Sequence, residues 1–221
     1  MNGTMRMRAK VTAACVAVVV IVGGAGIPDS FGENAKETVP IDWGKPVLVD
    51  NFDRAQLGAE NWELPKGSCE IRDGKLVATS EGNFYLFYKR KLASNMAIEF
   101  DGMIPDTQKA CDLAAVLSAN EFEPAIRHYQ GAVGTSGNKY SAIHRGKVRT
   151  EGDEVVARSQ LTLTSGKWYH IRAERQDEFV RLFVDGKKVL EYRDPLAFAP
   201  ASHNRIGLYT YGALTHFDNV K

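Results

Sequence analysis

From residue 47 onward apolar residues recur at every second position, in short runs broken by Gly, Asp, Asn and Pro. No window carries the long apolar stripe of period 3.6 that a core-facing helix needs. Period-two runs with turn punctuation predict many short strands, and therefore an all-β sandwich. The expected strands are 46–51, 69–72, 75–79, 84–89, 96–103, 112–119, 125–129, 139–144, 168–175, 179–184 and 205–210. One segment, 111–119 (CDLAAVLSA), fits either a buried strand or a helical turn, and it is assigned as a strand. Asp73-Gly74 and Asp185-Gly186 stand between strand-like runs, the sequence signal of a tight hairpin. The composition, 44% hydrophobic and 25% charged over 221 residues, excludes a disordered chain and leaves enough length for one sizeable core.

The alternation also assigns faces. In 168–175, Tyr169, Ile171 and Ala173 point inward, while His170, Arg172 and Glu174 point outward. In 179–185, Val180, Leu182 and Val184 are inward, and Arg181 lies opposite. Glu174 and Arg181 are therefore expected to pair across the hairpin on an exposed surface, worth at most about 1 kcal/mol. Trp168 is expected to anchor the core. Trp62, in a Pro- and Gly-bounded loop, is either an exposed sugar platform or a plug over the sandwich end. Tyr209 and Tyr211 alternate with Leu208 and Thr210, on the face away from the core.

Ahead of the sandwich, Arg6, Arg8 and Lys10 precede an apolar run, 11–22, followed by small residues. Basic, apolar, then small is the order of a secretory signal, and the run is shorter than the roughly 20 residues a bilayer requires. Residues 1–35 are assigned as signal peptide and short linker, and 36–221 as the domain. The expected location is secreted, periplasmic or extracellular, with a membrane reached only through an uncleaved signal segment. Removing 1–35 takes away three of the 28 basic and two of the 27 acidic side chains and leaves a formally neutral domain. No basic excess is left to hold a phosphate backbone, so nucleic acid is not an expected partner. Export leaves Cys69 and Cys111, either a disulfide worth about 4 kcal/mol by loop closure or two buried thiols.

No phosphate-binding glycine loop, G-x-S-x-G elbow or H-E-x-x-H motif is present. The residues 125–149 hold more unusual chemistry: Arg127, His128, Tyr129 and Gln130 are adjacent, and Tyr140, His144 and Arg145 follow the glycine-rich stretch 131–139. A hairpin would bring them together, but alternation splits them. Arg127 and Tyr129 fall on one side and His128 on the other; Tyr140 and His144 share a side opposite Arg145.

Three segments together resemble the concanavalin A-like jelly roll, in its laminin-G-like and glucanase-like branches. They are 50–76 (DNFDRAQLGAENWELPKGSCEIRDGKL), 165–192 (SGKWYHIRAERQDEFVRLFVDGKKVLEY) and 205–221 (RIGLYTYGALTHFDNVK). The resemblance implies two antiparallel sheets, one of them concave, in a secreted protein whose relatives bind or cleave polysaccharide. The retaining glucanases of that superfamily carry E-x-D-x-x-E on one strand. Here 96–104 supplies Glu99 and Asp101, but Ile104 takes the third place, so the carboxylate pair such hydrolysis needs is incomplete. Glu99 and Asp101 share a face opposite Ile98 and Phe100, lining a groove or forming the polar side of a strand. Some jelly-roll relatives bind calcium; Asp50, Asp53 and Asp218 make no ligand-dense loop, and no metal or cofactor is expected.

The leading expectation is a secreted domain that recognises polysaccharide or oligosaccharide on its concave face. The candidate residues are Glu99, Asp101, Arg127, His128, Tyr129, Tyr140, His144 and Arg145. Tyrosine would stack on a sugar ring, while Arg and His bond to hydroxyls. Two alternatives stand beside it. One is a glycoside hydrolase or polysaccharide lyase using the 127–145 region, with Arg neutralising a uronate and Tyr or His moving the proton. The other is a laminin-G-like protein-interaction module.

Overall fold

The computed structural model describes residues 42–93, 95–120, 127–146 and 154–221. The expected signal segment and its boundary at residue 35 lie outside them. Fourteen strands and one helical turn follow in order: β1 Trp62–Lys66, β2 Ser68–Arg72, β3 Lys75–Thr79, β4 Asn83–Tyr88, β5 Met96–Met103, β6 Leu113–Ala119, β7 His128–Gly134, α1 Thr135–Asn138, β8 Tyr140–Gly146, β9 Glu154–Ser159, β10 Trp168–Gln176, β11 Phe179–Val184, β12 Lys187–Arg193, β13 Arg205–Tyr211 and β14 Thr215–Asp218. They form two seven-stranded sheets, β1-β4-β13-β6-β7-β8-β9 and β12-β11-β10-β5-β14-β3-β2, with every pairing antiparallel. This is the two-sheet jelly-roll sandwich read from the sequence.

One large core fills the space between the sheets. The first sheet contributes Phe84, Leu86, Leu117, Tyr129, Ile143 and Leu208, and the second contributes Ile98, Phe100, Ile171, Leu182 and Phe217. All are the inward members of alternating strands. The tight hairpins arise where Asp73-Gly74 and Asp185-Gly186 both take positive φ, at 51° and 67° and at 50° and 77°. That backbone follows the right-handed twist of the flanking strands, and glycine adopts it without steric cost.

Several boundaries differ from the sequence reading. Residues 46–51 form no strand; only Asp50 bridges, to Val220. The strand expected at 125–129 is β7, which begins at His128 and runs on through Gly134; residues 125 and 126 lie outside the described residues. Its glycines imitate a loop, yet a Cβ on Gly131 would come within 3.2 Å of Leu182 Cδ1, so the opposite sheet approaches too closely for a side chain. Strands β1, β9, β12 and β14 were not anticipated. Proline at position 65 hid β1, an edge strand where a missing N–H is tolerated.

Trp168 is 37% exposed and lies near His216, not in the core. It shares parity with His170 and Arg172, and Tyr169 takes the inward place. Trp62 is the plug: it is buried against Phe52 and Tyr88, and its indole N–H donates to Asp50 Oδ2 at 2.7 Å. Glu174 and Arg181 do face each other in register, 3.3 Å apart, but both are buried. Cys69 and Cys111 are not bridged to each other. Cys69 lies on β2 of the second sheet and Cys111 just ahead of β6 in the first; burial pushes the Cys69 thiol up to about 11.

Asp50 ties the entry of the chain to its end. Its backbone exchanges two 2.8 Å hydrogen bonds with Val220, while its carboxylate accepts from Arg54 Nη1 and Nη2, Trp62 Nε1 and the Phe52 N–H. Burial raises its pKa, but these donors outweigh burial and hold it below the usual carboxylate range. A depressed native pKa contributes stability that is complete above the unfolded-state value and is lost as pH falls through the native one. The Asp50→Asn protein is therefore expected to be less stable at neutral pH and to lose less stability on acidification. Urea midpoints measured from pH 7 down to pH 3 check this; a parallel decline in both proteins would contradict it.

Candidate functional site

The pleat of β7 and β8 sorts the candidate residues. Gln130 pairs with His144, Ala132 with Ala142, and Tyr129 with Arg145. Tyr129 belongs to the core, so His128, Gln130, Tyr140 and His144 lie on the other surface of the first sheet, its outer face. Their neighbours there are the aromatic residues of β4 and β13. Tyr85, Phe87 and Tyr209 form a second apolar cluster with Ala114, Val116 and Ala132, with Tyr211 packed against it. Tyr85 stacks on Phe87 with ring centroids 5.8 Å apart, leans on Tyr209 at 5.0 Å, and meets His128 edge-on at 6.4 Å. Tyr209 donates its hydroxyl proton to Asn83 Oδ1.

At one end of this face is a cavity of about 560 Å³, lined by Lys109, Thr135, Ser136, Tyr140, His144 and Tyr211 among others. Lys109 comes from the connection between β5 and β6, and Thr135 and Ser136 from the turn after β7. That turn is tight because Gly134, Ser136, Gly137 and Asn138 all have positive φ. Across from it, the Arg158 guanidinium of β9 lies 3.8 Å from the centroid of the Tyr140 ring. Gln130 is completely buried, and among the described residues neither end of its amide has a hydrogen-bond partner. A buried amide left so costs about 1–3 kcal/mol.

The other candidates lie elsewhere. Tyr129 and Arg145 turn to the reverse side of the same strands and grip Asp194 of the loop following β12. Tyr129 donates its hydroxyl proton to Asp194 Oδ2 at 2.5 Å, and Arg145 Nε donates at 2.6 Å. Burial, with the bond to Asp194 behind it, drives the Tyr129 phenol well above its usual range. Burial also raises Asp194, yet Tyr129, Arg145 and the Leu196 N–H outweigh it, so the carboxyl is held low. Phe198 of this loop packs on Tyr129 and under Arg145. Arg127 is exposed, and its N–H donates to Asn120 Oδ1.

Glu99 and Asp101 are on the outer face of the other sheet, apart from the cavity. Glu99 accepts from Arg172 at 3.1 Å and Lys221 at 3.0 Å, and Asp101 lies 2.7 Å from His170 Nδ1. Burial raises Glu99, but Lys221 and Arg172 prevail and hold it low. The charged network continues through Arg172–Glu174–Arg181–Glu191, and Glu99, Arg172 and Lys221 also line a second cavity of about 380 Å³. Asp50 and Asp218 are not gathered into a ligand set, and among the described residues no three His, Cys, Asp or Glu side chains are placed to hold a metal ion.

The first sheet has a property the sequence reading missed. Strands β4, β13, β6, β7 and β8 contain no Asp or Glu at all. The face that carries the cavity therefore offers imidazole, phenol, amide and cationic groups on these strands, without a carboxylate pair for glycosidase chemistry. Lys109 and Arg158 are brought near this face only by the fold. Tyr85 and Phe87 were hidden because β4 (NFYLFY) is apolar on both faces and shows no alternation.

Fold and site together define a concanavalin A-like jelly-roll protein. Among solved structures the chain is similar to the carbohydrate-binding module CBM66 from Bacillus subtilis, with 16% identity, 72% of this chain and 93% of that one covered, and a TM-score of 0.60. It is also similar to a galectin-like-fold protein of Bacillus subtilis (12% identity, 80% and 94% covered, TM-score 0.63). A laminarinase from Flavobacterium sp. aligns at 12% identity over 80% and 98% of the two chains, with a TM-score of 0.55. No curated protein matches the chain. A family model, the 3-keto-alpha-glucoside-1,2-lyase-like domain, matches residues 48–221, and the chain belongs to that family.

Asp194 fastens the back of β7 and β8 while His128, Gln130 and His144 occupy the front. Asp194→Asn removes the charge that Arg145 and Tyr129 share. It is expected to cost about 2 kcal/mol in denaturant unfolding and to make residues 194–204 more sensitive to proteolysis. An unchanged denaturation midpoint would remove Asp194 from this role.

Proposed function

We propose that the outer face of the first sheet binds a sugar, and that the chain is a lyase acting on a 3-keto-glucoside. The observation that carries this reading is the direct pairing of Gln130 with His144 on a surface whose five central strands hold no carboxylate. Among the described residues these five strands carry no pair of carboxyl groups of the kind a retaining or inverting hydrolase uses. Elimination beside a ketone requires less: one base for the carbon acid and one donor for the oxygen where charge accumulates.

In this scheme the ketone at C3 acidifies the proton on C2. His144 accepts that proton, and the electron pair of the broken C–H bond becomes the C1–C2 double bond by way of the enolate. The Gln130 side-chain N–H is the donor placed for the enolate oxygen. The C1–O bond then breaks with its electrons on the departing oxygen, which takes a proton from the Tyr140 phenol or through it from water. The sugar product is a conjugated enone, and the other product is the freed alcohol. Membership of the family supports this choice of substrate. Tyr211, half-buried at the cavity and packed against the buried cluster of Tyr85, Phe87 and Tyr209, would supply the aromatic surface a pyranose ring stacks on. Export by way of residues 1–35 would bring the site to extracellular glycans.

A 3-keto-glucoside offered to the full chain is expected to give near-ultraviolet enone absorbance together with free aglycone. His144→Gln is expected to lower kcat by about 10²–10⁴ with a KM change of less than about threefold, as for loss of a general base. Binding without any enone from the wild-type protein would reduce the function to sugar recognition. No binding of any glucoside would refute the site itself.

A further inference from the structure

We propose that the ligand is an acidic glycoside, carrying a carboxylate or sulfate group that Lys109 holds at the end of the cavity. This deepens the proposed function and rests on the outer face of the first sheet being the sugar site.

The argument begins with charge. The five strands without Asp or Glu form the floor of the face, and the cavity lining contains no carboxylate among the described residues. The cations around it are therefore not neutralised locally. Lys109 is exposed, and among the described residues it has neither an ion pair nor a hydrogen bond. Its Nζ reaches over the β7–β8 turn, to within 3.8 Å of where a Cβ on Gly137 would stand. Arg158 sits over the ring of Tyr140, a lining residue, and likewise has no carboxylate partner among the described residues.

The second sheet shows the opposite arrangement. There Arg172, Arg181 and Lys221 are each held by Glu99, Glu174 or Glu191 at 2.6–3.3 Å. A concave site lined by one sign of charge concentrates ligands of the other sign. Thr135 and Ser136 add hydroxyls beside Lys109, which suit the oxygens of a carboxylate or sulfate.

Arg145, one of the two arginines of the 127–145 region, is held by Asp194 on the reverse side of its strand. Lys109 comes to the site from a loop outside the 127–145 region.

Calorimetric titration of the full chain with a matched series tests this: a neutral glucoside, the corresponding glucuronide and the corresponding glucoside sulfate. The acidic ligands are expected to bind about tenfold tighter than the neutral one at low salt, equivalent to about 1.4 kcal/mol, with the difference shrinking as salt is raised. Whichever acidic ligand gains more identifies the group as carboxylate or sulfate. Lys109→Gln is expected to bring the acidic ligands down to the neutral affinity and leave the neutral one unchanged, and Lys109→Glu to reverse the order. Equal binding of all three by the wild-type protein, or a preference that survives Lys109→Gln, would overturn the proposal while leaving the sugar site standing. Failure of all three to bind would overturn both.

Discussion

The pairing of β7 with β8 is the constraint on which the site depends. A pleated strand sends neighbours to opposite surfaces, so a segment as dense in functional groups as residues 128–130 must be divided. Tyr129 goes inward, and with Arg145 it closes on Asp194. His128 and Gln130 go outward beside His144. The inward half is an anchored, charged knot, and the outward half is what that anchoring holds in place. Precision at the face thus comes from burial on its reverse side, where a carboxylate between a phenol and a guanidinium fixes two strands and a loop at once.

The two outer surfaces of the sandwich are built on different electrostatic plans. On the second sheet, Glu99, Arg172, Glu174, Arg181 and Glu191 alternate in sign from strand to strand. Each charge is answered by a neighbour at the opposing register position, so the surface is satisfied by itself. The central strands of the first sheet contain no acid and present two histidines, a glutamine and tyrosines. A self-satisfied surface has little to offer a polar ligand, because each new contact must displace an existing one. An unsatisfied amide such as Gln130 gains by contact. Carboxylate spacing singles out Glu99 and Asp101, and these lie on the sheet whose charges are already paired.

The fold was legible wherever one side of a strand was apolar and the other was not. Strands 96–103 and 179–184 were read to the residue; in β5 every second residue is buried, which writes alternation directly into the sequence. Strands buried on both surfaces gave no such signal. In β4, Tyr85 and Phe87 look like Phe84 and Leu86, and only sheet order separates the outer cluster from the core. The glycines of β7 suggested a loop because the neighbour that crowds Gly131, Leu182 of the facing sheet, is 51 positions away. The parity split of residues 127–145 was correct in the sequence because it needs only local geometry. What it could not supply was the loop contribution of Lys109 or the cross-sheet arrival of Asp194, both set by topology.

The short β7–β8 connection explains how the cavity lip is kept in shape. A loose nine-residue loop, as the sequence suggested for 131–139, would leave Ala142 and His144 out of register with Ala132 and Gln130. Instead the chain reverses through a left-handed turn in which Asn138 bonds the Leu163 backbone from both ends of its amide, 2.8 Å to the carbonyl and 2.7 Å from the N–H. Ser141 adds a bond to the Leu161 carbonyl. The segment before β10 is thereby fastened to the turn that lines the cavity. Thr135 and Ser136 are then positioned by backbone conformation and by these bonds before any ligand arrives, so that binding need not order them.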